Sequence, residues 1–336
     1  MISRELSRKK AMDAVKHIRG HVSDSNLAYY TDMLEDFDQT INMPLYMYTW
    51  GRDIKLRSGV SIGVKSTSFT RSTYGSQGSY QATGKPWISP STTQLTNVTV
   101  DGEKVVTPVR ELGQNLQYSV VDLRASERTQ QPLDTQQQIA FRELYNQYTD
   151  EMVYLGDDNF DNSASPAEGL LNSSVVTSST VPNGASGFPE WSTKTADEIL
   201  ADINDLLTST WEDSAYAVVP AKLGLPPAQW SELVSRKVSG QADKTILKYV
   251  MENNIATFSG VAFEIVSMKL LNGVGAGGTQ RMIAYTNSEQ YVRFPMAPVE
   301  SLPTQYNGVW INTPYMWAYG SMEFPYPETV QYADGI

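Results

Sequence analysis

The segment DTQQQIAFRELYNQYTDEMVYLGDD, residues 134–158, constrains the fold of this chain more than any other. Phe141, Leu144, Tyr145, Tyr148, Met152 and Leu155 recur at steps of three and four, which lays one apolar stripe along a helix. Asp134 stands where an N-cap belongs and Gln137 follows at the capping-box position, while Gly156 supplies a stop. From Thr135 to Leu155, at about 1.5 Å per residue, the helix would be roughly 30 Å long. A domain has to be built along a helix of that length.

The segments on either side read differently. Residues 51–80 alternate apolar and polar positions through Ile54, Leu56, Val60, Ile62 and Val64, the period of a half-buried strand pair. They are also rich in glycine and serine, and such a hairpin needs something to cover its apolar face. Residues 96–123 read as short strands around an Asp101-Gly102 turn. Residues 163–191 read as loop. Beyond them, Thr195 and Glu198 form a capping box ahead of the stripe Ile199, Leu200, Ile203, Leu206 and Leu207. AYAVVPAKL and VAFEIVSMKLL read as strands, PAQWSELV and KTILKYVMEN as helices, and the aromatic-rich stretch after Arg293 as strands again. The order predicts an α+β protein whose first domain is completed by its C-terminal stretch.

The 336 residues contain no cysteine, which removes disulfides, thiolate chemistry and cysteine-based zinc sites. No apolar run is long enough for a membrane span, and the first twenty residues have no apolar core for a secretory signal. A formal net charge of −11 argues against a nucleic-acid binder working through bulk charge. The distribution is uneven. Arg4, Arg8, Lys9, Lys10, Lys16 and Arg19 crowd the start, whereas residues 301–336 hold Glu323, Glu328 and Asp334 and no lysine or arginine. Opposite ends of this kind suit either association between neighbouring copies or, more commonly, plain solvated surface charge.

The motifs that look like chemistry fail on context. Gly273, Gly275 and Gly278 match G-x-G-x-x-G, but a dinucleotide site needs a helix N-terminus next and TQRMIAYT is β-like. Asp157 and Asp158 resemble the Gly-Asp-Asp turn of RNA polymerases, yet a helix precedes them where a strand is required, so an acidic loop is expected. His17 and His21 share a helix face, but Ile18 replaces the glutamate of H-E-x-x-H. Trp310, Tyr315, Trp317, Tyr319, Phe324 and Tyr326 suit either a sugar-binding face or a core and subunit contact. Asn97 and Asn172 fit the glycosylation sequon without a secretion signal. No catalytic, cofactor or metal site is expected, and the chain does not read as an enzyme.

Taken together, YTWGRDIKLRSGVSIGVKSTSFTRS, the DTQQQIAFRELYNQYTDEMVYLGDD helix and the GLLN after it resemble a family of tailed-bacteriophage major capsid proteins with the Hong Kong 97-like shell fold. The detailed match covers about residues 45–75 and 130–172. The resemblance implies an N-terminal arm (1–50), an extended loop (51–93), a peripheral domain (94–192 and 300–336) and an axial domain (193–299). It implies a structural protein of the virion capsid, assembled in the host bacterial cytoplasm as pentamers and hexamers of an icosahedral shell enclosing double-stranded DNA. That DNA would be touched non-specifically, and scaffold, portal and decoration proteins would be further partners, with no membrane involved. The positive charges expected at the contact between subunits are Arg52, Lys55, Arg57, Lys65 and Arg71, and the acidic candidates to meet them are Asp157, Asp158, Glu323 and Glu328. Lys65 and Lys85 lie where some relatives place a cross-linking lysine. The alternatives are an encapsulin-type compartment shell and, from another class, a glycan-binding β-rich protein.

Overall fold

The computed structural model describes residues 44–77, 95, 97–128, 133–160, 166–238 and 244–336. Residues 46–123 and 133–336 form one compact unit; the other comprises residues 1–45 and 124–132, of which 44, 45 and 124–128 are described. His17, His21 and Lys85 fall outside the described residues, as do the basic start and the acidic stretch after it.

The body opens with helix α1 (Trp50–Asp53) and strand β1 (Lys55–Leu56). Strand β2 (Ser66–Gln77) leads to strand β3 (Asn97–Ser119), followed by α2 (Val120–Arg128) and the long α3 (Leu133–Tyr154). Three short strands follow, β4 (Gly156–Asp157), β5 (Ala167–Glu168) and β6 (Thr177–Thr180), then α4 (Ala196–Asp213) and β7 (Lys222–Leu225). Helices α5 (Pro227–Ser235), α6 (Ile246–Asn253) and α7 (Ile255–Phe258) precede β8 (Glu264–Ser267) and β9 (Arg281–Tyr285). The chain ends in β10 (Arg293–Phe294), β11 (Met296–Ser301), β12 (Gln305–Asn307), β13 (Trp310–Gly320) and β14 (Gln331–Asp334).

Two five-stranded sheets organise the body. One runs β11-β13-β3-β2, with β12 also on β13, and each of these pairings is antiparallel. Strand β3 spends itself twice, pairing with β2 over residues 97–108 and with β13 over 109–119. At about 3.3 Å per residue it is roughly 75 Å long, far beyond an ordinary strand. Helix α3 lies against this sheet: the Phe141 ring sits 4.5 Å from Tyr315 and 5.9 Å from Trp317, with Tyr145 5.6 Å from Trp317. Its stripe holds only in part. Tyr148 is exposed, while Thr149, Asp150, Met152, Val153 and Tyr154 are buried, because the end of the helix is enclosed on every side but that of Glu151.

The second sheet runs β6-β14-β9-β7-β8 and is covered on both faces. Ile283, Tyr285, Tyr332 and Val266 join the core that holds the end of α3. Met282, Ala284, Ala333, Leu223 and Leu225 join the opposite core, filled by Ile199, Ile203, Leu206 and Leu207 of α4. Alternate residues of one strand therefore feed two cores, and RMIAY is buried throughout. The sheet draws β6 and β14 from the stretches expected to form one domain and β7, β8 and β9 from the other, so it crosses the predicted division.

Several local expectations are corrected. Within residues 54–64 only Lys55–Leu56 is strand, paired with β10, and the alternation read there is not a strand pair. Ile54 enters the core at the end of α1, and Gly59 and Gly63 take φ of 79° and 94°, turning the chain twice before β2 begins. Asp101-Gly102 is not a turn, because both residues pair within the ladder opposite Thr73 and Ser72, and pairing overrides the local signal. Asp134 lies inside the first turn of α3, one residue past its start. AYAVVPAKL is strand only from Lys222; Ala215 and Tyr216 are left-handed instead. The Thr195–Glu198 capping box forms as read.

Candidate assembly surfaces

Beyond its root, the β2–β3 ribbon packs little of its surface. Register Tyr74↔Val100 and Ser76↔Val98 places Tyr74, Val98 and Val100 on one face, and Val106 lies on the same face further down. They are 84%, 76%, 70% and 55% exposed. A two-stranded ribbon with one apolar face is marginal in water alone.

The root of the ribbon is locked by a buried carboxylate. Glu323 Oε1 accepts from Arg57 Nη1 at 2.5 Å and from Thr67 Oγ1 at 2.6 Å, and Oε2 accepts from Arg293 Nε at 2.7 Å. Arg57 also donates to Ser68 O at 3.0 Å, and Arg71 to Phe324 O at 2.7 Å. Arg71 and Arg293 lie 5.5 and 5.8 Å from the Phe69 ring. The Glu323 side chain is fully buried, so its charge is held by two guanidinium groups that pin β1, β2 and β10 together.

Residues 46–57, the strap entering the body, are tied down by two further buried acids. Asp150 accepts from Thr49 N at 2.9 Å and Trp50 N at 3.2 Å, and its other oxygen lies 3.2 Å from Lys269 Nζ. Asp53 meets Arg52 Nε at 2.7 Å, Lys222 Nζ at 3.0 Å and the Tyr154 hydroxyl. Burial pushes the Asp53 carboxyl up, but the bonds from Arg52, Tyr154 and Lys222 outweigh it and hold the group below the ordinary range. Asp334 behaves likewise: burial raises it, and Arg281, bonded at 2.6 and 2.9 Å, brings it down. A carboxyl lowered by folding stabilises the fold fully above its unfolded pKa, near 3.8, and the gain is lost as pH falls through the still lower folded value. Melting temperature should therefore hold steady down to about pH 5 and drop steeply below about pH 4. The Asp53→Asn variant should start lower and fall less; equal slopes for the two proteins would remove Asp53 from the acid transition.

The predicted site residues separate into two groups. Arg57 and Glu323, expected on opposite sides of a contact between subunits, meet each other within one chain, and Glu323 has no exposed surface to offer. Arg52 is engaged by Asp53, and Arg71 reaches Phe324. Lys55 and Lys65 are exposed, as are Asp157, Asp158 and Glu328, and Lys65 lies 3.8 Å from Glu111 of its own chain. The glycine motif is a tethered loop. Ala276 N donates to Asp334 at 3.0 Å, and a side chain at Gly275 would meet Thr279 and Asp334. Of the aromatic residues, Trp317, Tyr319 and Phe324 are buried, which removes the sugar-face reading for them. Asn172 is engaged at the end of α3, bonded to Leu155 O and Gly169 N. Arg293 and Arg281 carry much of this framework and went unread, since a lone arginine in a strand has no spacing to mark it.

Among the described residues no group of histidine, aspartate or glutamate is placed to hold a metal ion, and no helix is long and apolar enough to cross a membrane. The geometry is a spine helix on a sheet that runs out into a ribbon, joined to a second sheet that feeds a core on each face. Residues 84–336 match the family model described as major capsid protein, and the chain belongs to that family. Among solved structures it is similar to the capsid of Myoviridae phage XM1, with a TM-score of 0.74 at 18% identity over 91% of this chain and 98% of that one. Mycobacterium phage Ogopogo gives 0.58 at 10% over 91% and 98%, and the capsid of an empty GTA particle 0.55 at 11% over 91% and 97%. No curated protein sequence matches. The α+β, Hong Kong 97-like fold read from sequence agrees with these likenesses, and the encapsulin alternative is not favoured.

Proposed function

We propose that this capsid protein assembles into pentamers and hexamers of an icosahedral shell around double-stranded DNA, in which each β2–β3 ribbon lies on a neighbouring subunit. The carrying observation is the exposed face of Tyr74, Val98 and Val100 on a ribbon whose root is locked by Glu323. A rigid root with an uncovered apolar face suits a clasp between copies, and the resulting contacts are head-to-tail and close into rings. In this reading residues 1–50 are the arm, the ribbon is the extended loop, and scaffold, portal and decoration proteins act as further partners. Assembly takes place in the host cytoplasm. Its role is structural, and catalysis plays no part.

Lys55 and Lys65 are the exposed charges that orient the clasp, with Asp157, Asp158 and Glu328 as partners, because Arg57 and Glu323 are used internally. Rim charges set orientation and rate more than affinity. The expressed protein should form closed particles by negative-stain microscopy. The double variant Lys55→Glu, Lys65→Glu should keep native circular dichroism and slow assembly by about tenfold at low salt. Tyr74→Asp with Val100→Asp should leave folded subunits that form no shells. Normal particles from that second variant would defeat the clasp, and enclosed protein in place of DNA would defeat the reading of the contents.

A further inference from the structure

The chain contains three Asn-Gly steps, Asn183-Gly184, Asn272-Gly273 and Asn307-Gly308, and the fold treats them differently. An asparagine followed by glycine can modify itself. The glycine amide nitrogen attacks the asparagine Cγ and gives up its proton, a nitrogen–carbon bond forms, and the side-chain nitrogen leaves as ammonia. Water then opens the cyclic imide at either carbonyl, giving aspartate or isoaspartate. The step needs a free glycine amide and a backbone able to turn at the asparagine. Glycine favours it because no side chain shields the nitrogen.

At Asn183 both conditions fail. Gly184 N donates to Phe188 O at 2.9 Å, and Gly184 O accepts from Gly187 N at 2.9 Å. The glycine is wedged as well, since a Cβ there would stand 2.9 Å from Lys194 Cγ. At Asn307 the glycine opens a two-residue loop between β12 and β13, with φ of 63° and nothing within 4 Å of where a Cβ would stand. Its amide donates no hydrogen bond among the described residues, and only the last pair of the ladder, Asn307↔Trp310, holds the asparagine. At Asn272 the residue is exposed, and the Gly273 amide is likewise without an acceptor among the described residues. Asn272 sits at ψ 118° and must turn by roughly a third of a rotation for the ring to close, with no strand pairing to resist it.

We propose that Asn272 and Asn307 are sites of spontaneous conversion to aspartate and isoaspartate, and that the fold protects Asn183. At Asn307 the product is a carboxylate between Tyr306 and Trp310, both exposed, so the hairpin tip gains charge as the subunit ages.

The test is to incubate the full-length protein in mildly alkaline buffer and follow the three peptides by mass spectrometry, with isoaspartyl methyltransferase labelling as a second readout. Asn272 and Asn307 should convert about tenfold faster than Asn183, the ratio expected if freeing the Gly184 amide costs one net hydrogen bond. In denaturant the three rates should converge. If Asn183 keeps pace in the folded protein, or the gap persists in denaturant, the fold is not the protecting agent. If either exposed site lags with Asn183, its assignment falls.

Discussion

Replacing Glu323 by alanine should destabilise the subunit by about 3–5 kcal/mol, the usual cost of removing one partner from a buried ion pair. The loss would be larger than that of a surface pair because Arg57 and Arg293 both stay behind, one-fifth exposed at most, with no carboxylate to face. Thr67 Oγ1, buried beside them, loses its acceptor as well. Denaturant titration measures the total, and amide exchange locates it: Thr67, Ser68 and Phe69 at the ribbon root should lose protection before the two cores do. A change below about 1 kcal/mol would mean that water reaches both guanidinium groups and that the root is held by its ladder alone.

An even larger effect is expected from Gly156→Ala. Gly156 ends α3 at φ 75°, where an alanine pays roughly 1–2 kcal/mol for the left-handed backbone alone. The added Cβ would also lie 1.8 Å from Ala167 O and 2.7 Å from its carbonyl carbon. These are backbone atoms of β5, paired with β4, so no side chain can swing aside. The strands must separate, and with them the turn that brings Leu170 and Leu171 into the core beside Val153 and Tyr154. The variant should be recovered only as insoluble or non-cooperatively folding protein. Asp157→Asn, one residue further on and exposed, should stay within about 0.5 kcal/mol of wild type. A soluble Gly156→Ala subunit with a normal unfolding midpoint would show that β4 and β5 are not a required pair.

These variants also mark what the sequence makes legible. The stop at Gly156 was readable, because a periodic apolar stripe ends there on the residue that most readily accepts a left-handed cap. The reason no other residue fits was not, because the opposing carbonyl belongs to Ala167, across a short strand with no pattern of its own. The Thr195–Glu198 box was readable because all its atoms lie within one helical turn. Ribbon register was not. β2 pairs with residues that follow a long intervening stretch, and valines at 98, 100 and 106 on an outer face look the same as valines facing a core. Charge was the least legible signal. Arg57 reads as a surface residue until Glu323, 266 positions away, is placed beside it.

The position of β14 in its sheet has a consequence for time. Among the described residues strand β6 pairs with β14 alone, and β14 separates it from β9, so no described strand joins β6 to the sheet until residues 331–334 arrive. The same holds for β3, whose second half waits for β13 some two hundred residues later. Contacts this distant must close long loops before they repay the entropy, which places folding toward the slow end, on the order of milliseconds to seconds. During that interval the apolar side chains of Tyr74, Val98 and Val100 are exposed on a chain whose cores are open. Nascent copies at high concentration therefore compete between completing themselves and adhering to one another. Expression at lower temperature or at a slower rate of synthesis should raise the share that matures into usable subunits.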